Sequence, residues 1–300
     1  MNKAAYELSG RYMLRAIRPD GSERIVADWF DNLVLDNGLN RIGTEGIAST
    51  AVIGSGNSAP TNGQSTLVTL VGATTNTPFA DVKGTDLANG FAYVRRTFRF
   101  AAGVAAGNLA EVGIGWASNN LFSRALIRDG GGTPTTVTVL SDEVLDVVYE
   151  LRVYWPTTDN VTTVNIGGTD YTVTVRASDV DQWANGTSMF ALLLGNGLGD
   201  SLQDVLGYGP GSLGAVTEGP GGSFLNRPGT YGFDGSYVNN SNERKYKLIA
   251  GLSDITTDIG SFNVVTPLGM FKMGFSPSLP KTSSNILTIN FKLAWARKVI

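Results

Sequence analysis

Apolar and polar residues alternate with a period of two along much of this chain, and that pattern constrains the fold more than any other feature. From Leu145 to Trp155, the residues Leu145, Val147, Tyr149, Leu151, Val153 and Trp155 fall on one side of an extended strand, while Asp146, Glu150 and Arg152 fall on the other. Near the C-terminus Leu287, Ile289, Phe291, Leu293 and Trp295 alternate with Thr288, Asn290, Lys292 and Ala294, which predicts a strand that closes a sheet. Tyr6–Ile17 and Glu23–Leu35 read as a hairpin turning at Pro19-Asp20-Gly21, and Val161–Val175 as a second hairpin turning at Gly167-Gly168. Phe91–Phe100, Ala110–Trp116 and Leu121–Arg128 read as a meander. The single helical signal is Asp36–Gly43, with Asp36 placed to cap a turn through Leu39 and Ile42 and Gly43 placed to end it.

Strands at this density, broken by Gly, Asn and Pro, predict a mainly β chain: an antiparallel β-sandwich or barrel-like domain, or domains, with long Gly-rich loops. Three parts are expected. They are an N-terminal β domain over 1–175, an inserted or second β/loop-rich region over 176–282, and a C-terminal strand over 283–300. Pairing of Leu287–Arg297 with Leu145–Trp155 would make the middle part an insertion.

Composition narrows the chemistry. With no cysteine there are no disulfides, thiolate metal sites or cysteine nucleophiles; with no histidine the commonest general base and metal ligand is missing. Carboxylate pairs, a Ser/Lys pair and oxygen-ligand cations remain. Only 16% of residues are charged and the net charge is −3, which gives no global basis for binding nucleic acid. The longest apolar run, Met189–Leu194, is far shorter than the roughly 20 residues of a membrane span, and the N-terminus lacks a basic region followed by an apolar core. The expectation is therefore a chain without a membrane span that folds in the cytoplasm where it is made.

Several local patterns imitate functional motifs. Gly54-Ser55-Gly56-Asn57-Ser58-Ala59 matches a dinucleotide fingerprint by letter, but Pro60, Asn62 and Gly63 break the helix that would aim its dipole at a pyrophosphate, so it reads as a strand-to-loop exit. The acidic pairs Asp142-Glu143 and Asp179/Asp181 read as solvated turns, with a glycosidase pair or an oxygen-ligand cation site as the alternatives; adjacent strand residues face opposite ways, which counts against Asp142 and Glu143 acting together. Arg95, Arg96 and Arg99 among Phe91, Tyr93, Phe98 and Phe100 imitate a stacking platform, yet a strand divides them between two faces and the acidic total predicts ion pairs. No catalytic, cofactor-binding or metal-ligating residue is assigned. From Gly195 to Gly235 glycines cluster with Pro210, Pro220 and Pro228. Tyr208, Phe224, Tyr231, Phe233 and Tyr237, interleaved with those glycines or just beyond them, are the candidate interface or receptor contacts.

The order of residues at Asp20-Gly21, Asp28-Trp29-Phe30-Asp31-Asn32-Leu33-Val34 and Asn37-Gly38-Leu39-Asn40-Arg41-Ile42-Gly43 resembles the start of tail proteins of tailed bacteriophages. Val52-Ile53-Gly54-Ser55-Gly56-Asn57-Ser58-Ala59-Pro60, Leu109–Trp116, Leu121–Ile127 and Pro134–Leu140 continue the likeness in the same order. The resemblance covers roughly residues 10 to 155, with Phe291–Arg297 at the end, and no such motif falls between Asp179 and Pro280. It implies a structural, non-enzymatic virion protein of the tail, fibre or baseplate, made in the host cytoplasm. It also implies self-association, as a trimer or hexamer, beside other tail proteins. Two other functions compete with it: a receptor-binding module for host surface glycan or protein, and a surface-polysaccharide depolymerase. The usual stacked β-helix of the latter would show as a short internal repeat, which this sequence lacks.

Overall fold

A computed structural model describes residues 2–178, 197–198, 204–209, 211–216, 218, 229–254 and 257–299. Strand β1 (Asn2–Ile17) organises the chain. One edge takes β12 (Val144–Tyr154) antiparallel, from Glu7 opposite Tyr154 to Ile17 opposite Val144. Two strands share the other edge: β20 (Leu287–Arg297) runs parallel beside Asn2–Leu8, and β2 (Glu23–Asp31) runs antiparallel beside Arg11–Ile17. Beyond β12 lie β7 (Phe91–Phe100) and β6 (Val82–Asp86), and beyond β20 lie β17 (Glu243–Ala250) and β16 (Thr230–Phe233), completing an eight-stranded sheet.

Two five-stranded sheets complete the sandwich. One has the order β3 (Leu33–Val34), β10 (Asn120–Leu126), β9 (Glu111–Ala117), β4 (Thr50–Gly54), β5 (Leu70–Thr74). The other has the order β13 (Asn160–Ile166), β14 (Thr169–Ala177), β19 (Gly269–Leu279), β18 (Ile259–Thr266), β15 (Asp204–Gly209). A short ribbon pairs β8 (Gly107–Leu109) with β11 (Val137–Val139).

The alternation in β1 shows why both sheets lie against the same face of the central one. Tyr6, Leu8, Tyr12 and Leu14 all point inward and are buried. The Tyr6 hydroxyl donates to the Met270 carbonyl of β19 at 3.0 Å, and the Tyr12 hydroxyl is 2.6 Å from Ser123 Oγ of β10. Successive stretches of one strand therefore meet two different sheets. Around Tyr12 the rings of Phe30 and Tyr149 close in at 5.9 and 5.1 Å, and around Phe291 those of Tyr246, Phe271 and Phe262 lie at 5.5, 5.6 and 6.2 Å. Each buried aromatic or Leu of this kind contributes about 1.5–3 kcal/mol relative to exposure. With 56% strand and 3% helix, sheet faces supply nearly all of this core.

Both predicted hairpins form: β1 pairs with β2, and β13 pairs with β14 across Gly167-Gly168, whose φ values of 59° and 90° suit a two-residue turn. The meander does not form as expected. β9 and β10 make a hairpin, but β7 belongs to the central sheet, where β12 offers it a ten-pair ladder from Leu145 opposite Phe100 to Tyr154 opposite Phe91. β20 is an interior strand of the same sheet, held by β17 and β1 and separated from β12 by β1. Among the described residues of 176–282, β15, β18 and β19 pair within a five-stranded sheet that also holds β13 and β14, while β16 and β17 extend the central one. The helix α1 (Asp36–Ile42) is present, but Leu35 occupies its N-cap and no side chain caps it; Asp36 sits in the first turn and pairs with Arg297 at 2.8 Å. Among the described residues no helix is long and apolar enough to cross a membrane.

The Gly-Ser-Gly segment leaves β4 as a loop to β5, and the loop is gathered around one buried carboxylate. Glu111 accepts from the backbone N–H groups of Gly56, Val68 and Thr69 at 3.0, 3.1 and 2.8 Å, and from Arg124 Nε at 2.9 Å. Arg124 in turn donates to the Ser58 carbonyl at 2.8 Å and to Gln64 Oε1 at 2.7 Å. A Cβ at Gly56 would collide with Glu111, so the second glycine serves this internal anion. Both Glu111 and Arg124 have 0% exposed side chains. Glu111→Ala, which strands a buried guanidinium and three amides, is expected to cost about 3–5 kcal/mol in urea unfolding. Replacing both partners, as Glu111→Leu with Arg124→Met, should cost less than the single change.

Candidate interaction surface

The outward face of the central sheet is a lattice of charge. On β12, Asp146 and Glu150 point away from the core, and the register sets each between two arginines: Arg11–Glu150–Arg95 and Arg15–Asp146–Arg99. Arg11 Nε lies 2.8 Å from Glu150, Arg152 Nε lies 2.7 Å from it, and Arg95 makes a third contact. Asp146 is met by Arg15 at 2.8 Å and by Arg99 at 2.7 Å, and Arg15 also reaches Glu23 at 2.9 Å. This outer face is closed over by its own side chains: the two carboxylates are 0–1% exposed beneath guanidiniums that are 19–36% exposed.

Aromatic rings frame the guanidiniums. Arg11 lies 4.4 Å from the Trp29 centroid, Arg95 lies 4.7 Å from Tyr93, Arg152 lies 4.5 Å from Phe91 and Arg99 lies 5.1 Å from Phe79. Phe79, Ile25 and Val82 are exposed apolar side chains at 51%, 61% and 55%. As the alternation predicts, Arg96 turns the other way: it is buried, paired with Asp81 and bonded to the Ala48 carbonyl at 2.9 Å.

Electrostatics hold this face together. Burial pushes the Glu150 pKa up, and the guanidiniums of Arg11, Arg95 and Arg152 outweigh that and leave it below the ordinary value. Glu143, expected in a solvated turn, is buried instead. Arg24 grips it with two bonds at 3.0 and 2.8 Å and the Leu140 N–H adds a third, which lowers its pKa from 4.5 to about 2. Its neighbour Asp142 is exposed, so the two carboxylates do not act together.

Of the candidate contacts, Tyr231, Phe233 and Tyr237 are half-buried and packed against the core. Tyr237 stacks on Trp295 at 6.0 Å, and Phe233 lies 5.4 Å from Tyr246. Tyr208 belongs to β15, opposite Phe262 of β18; Phe224, like Asp179 and Asp181, lies outside the described residues. The structure gathers Phe233 and Tyr237 around Arg244, whose guanidinium lies 3.7 Å over the Phe233 ring and 5.8 Å from that of Tyr237. Arg244 is 8% exposed, and burial lowers its pKa. Sequence reading overlooked Arg244, although its place between Glu243 and Lys245 in an alternating strand signals an inward side chain.

Comparison with models of known protein families, with curated protein sequences and with solved structures gave no match. Among the described residues no group of three or more Asp or Glu side chains converges to hold a metal ion.

Because Glu143 and Glu150 titrate lower in the folded chain, their contribution to stability is complete above the ordinary carboxylate pKa of 4.5 and fades as pH falls below it, for Glu143 toward about 2. Urea midpoints measured from pH 7 down to pH 2.5 should fall most below pH 4.5, and Glu143→Gln should flatten that decline.

Proposed function

We propose that this chain is a structural component of a phage tail, fibre or baseplate, working through contacts with copies of itself and with neighbouring tail proteins. The observation that carries this reading is the outer face of the central sheet. Arg, Trp, Tyr and Phe are the residues that dominate protein interfaces, and here buried carboxylates hold them in fixed positions, so a partner gains contact area at a small cost in side-chain entropy. The ordered blocks over residues 10 to 155 that resemble tail proteins support the same reading. They contribute β2, which carries Trp29 onto this face, and α1, β4, β9, β10 and β11 behind or beside it.

Light scattering after size exclusion is expected to show a multimer, a trimer or hexamer, and mass spectrometry to find the chain in purified particles. A monomer at high concentration, together with absence from particles, would overturn the reading. Trp29→Ala should keep the fold and weaken association through this face about tenfold or more.

A further inference from the structure

Among the described residues, no strand pairs with the edge of β13 that faces away from β14, and this edge differs from the others. Its seven residues, Asn160-Val161-Thr162-Thr163-Val164-Asn165-Ile166, include no charge, no Pro and no Gly. Solvent-facing edge strands are ordinarily protected by such residues or by being short. The other sheet edges among the described residues follow that rule. β6 carries Lys83 and Asp86, β16 has four residues, and β5 has five and packs its Gly72 under the Val104 carbonyl. β13 also exposes apolar side chains: Val161 is 56%, Val164 39% and Ile166 48% accessible.

The hairpin turn fixes which backbone groups are free. Ile166 and Thr169 flank the two-residue turn and form a bonded pair, so alternation turns the N–H and C=O of Thr162, Val164 and Ile166 toward β14. The N–H and C=O of Val161, Thr163 and Asn165 then point outward. On the sheet face shared by Thr162, Val164 and Ile166 lies a cleft of about 560 Å³, where these residues meet Tyr171, Leu287 and Ile289.

We infer that β13 pairs antiparallel with β13 of a second copy about a twofold axis at Thr163, joining two five-stranded sheets into one of ten. A twofold normal to the sheet keeps each side chain on its own face only when a residue faces its own copy. Centring on Thr163 uses the whole strand: Thr163 meets Thr163, Val161 meets Asn165, Thr162 meets Val164 and Asn160 meets Ile166. The three outward-facing residues of each copy then exchange six hydrogen bonds, and the two apolar clefts lie on the same side of the joined sheet.

Charge favours a second copy over an unrelated partner. Self-pairing sets like against like, which penalises a charged edge and leaves this neutral one without penalty. The flanking acids are already engaged, Asp159 with Arg176 and Asp170 with the Asn165 side chain. The strand edge is about 24 Å long and by itself small for a stable interface, and the exposed Val161, Val164 and Ile166 side chains add apolar contact along it. This rests on the assembly reading above and deepens it by naming one of its contacts, a twofold that a hexamer of paired trimers contains and a lone trimer does not.

The absence of native cysteine makes the test direct. Thr163→Cys places two thiols across the axis with Cα atoms about 5.5 Å apart, within disulfide range, whereas Asn160→Cys places them about 20 Å apart. Under mild oxidation the first variant should give a covalent dimer and the second should not. Thr163→Pro removes an outward N–H and no bond to β14, so it should keep the circular dichroism spectrum of the parent chain and weaken self-association at least tenfold in sedimentation equilibrium. Equal cross-linking of the two cysteine variants, no cross-linking of either, or unchanged association of a folded Thr163→Pro would overturn the pairing. If Thr163→Pro does not fold, the cysteine pair decides. Presence of the chain in particles without cross-linking of the Thr163→Cys variant would sink the pairing and leave the assembly reading standing; cross-linking with absence from particles would do the reverse.

Discussion

The register between β1, β12 and β7 depends on two carboxylates. Asp146 and Glu150 each sit between a β1 arginine and a β7 arginine, with Leu145, Val147, Tyr149 and Leu151 on the opposite face of the same strand. A slip of one residue would carry the guanidiniums into the core and the Leu, Val and Tyr side chains into water. The ion pairs and the apolar burial therefore specify the same alignment, one from each side of the sheet. Once it is set, β1 holds β2 and β20 on its far edge and offers Tyr6 and Tyr12 to the two smaller sheets.

Glu111 and Arg124 apply the same chemistry to a loop. A carboxylate that is desolvated must be given donors, and here one guanidinium and three amides supply them. A chain with only 16% charged residues thus commits several of them to fixed internal partners. What it presents on the outer face is correspondingly ordered: arginines anchored from below and edged by rings.

Much of the fold was legible because the signal was local. Alternation marked β1, β12 and β20, and Gly167-Gly168 marked the tight turn between β13 and β14. What escaped was long-range pairing. Nothing within Phe91–Phe100 says that its partner is a strand some fifty residues on, and nothing within Leu287–Arg297 says that it lies parallel to the first strand. Short-range reading also misjudged Glu143, because the guanidinium that buries it comes from Arg24 of β2. The surface candidates were chosen for aromatic content in a Gly-rich stretch. Tyr231, Phe233 and Tyr237 instead lend much of their area to the core, while the more ordered exposed surface lies on Trp29, Phe79 and the β7 arginines, which sequence reading had assigned to ion pairing alone.

The knot around Glu111 bears on how the chain breathes. The amides of Gly56, Val68 and Thr69 lie in a loop with no ladder to protect them, yet all three give their hydrogens to one side chain. Fluctuations that release one weaken the hold on the others, so these amides should exchange with solvent as a set, at a rate governed by the opening of a single ion pair. A loop that looks from its glycines like the loosest part of the sheet is kinetically tied to one of its most deeply buried charges.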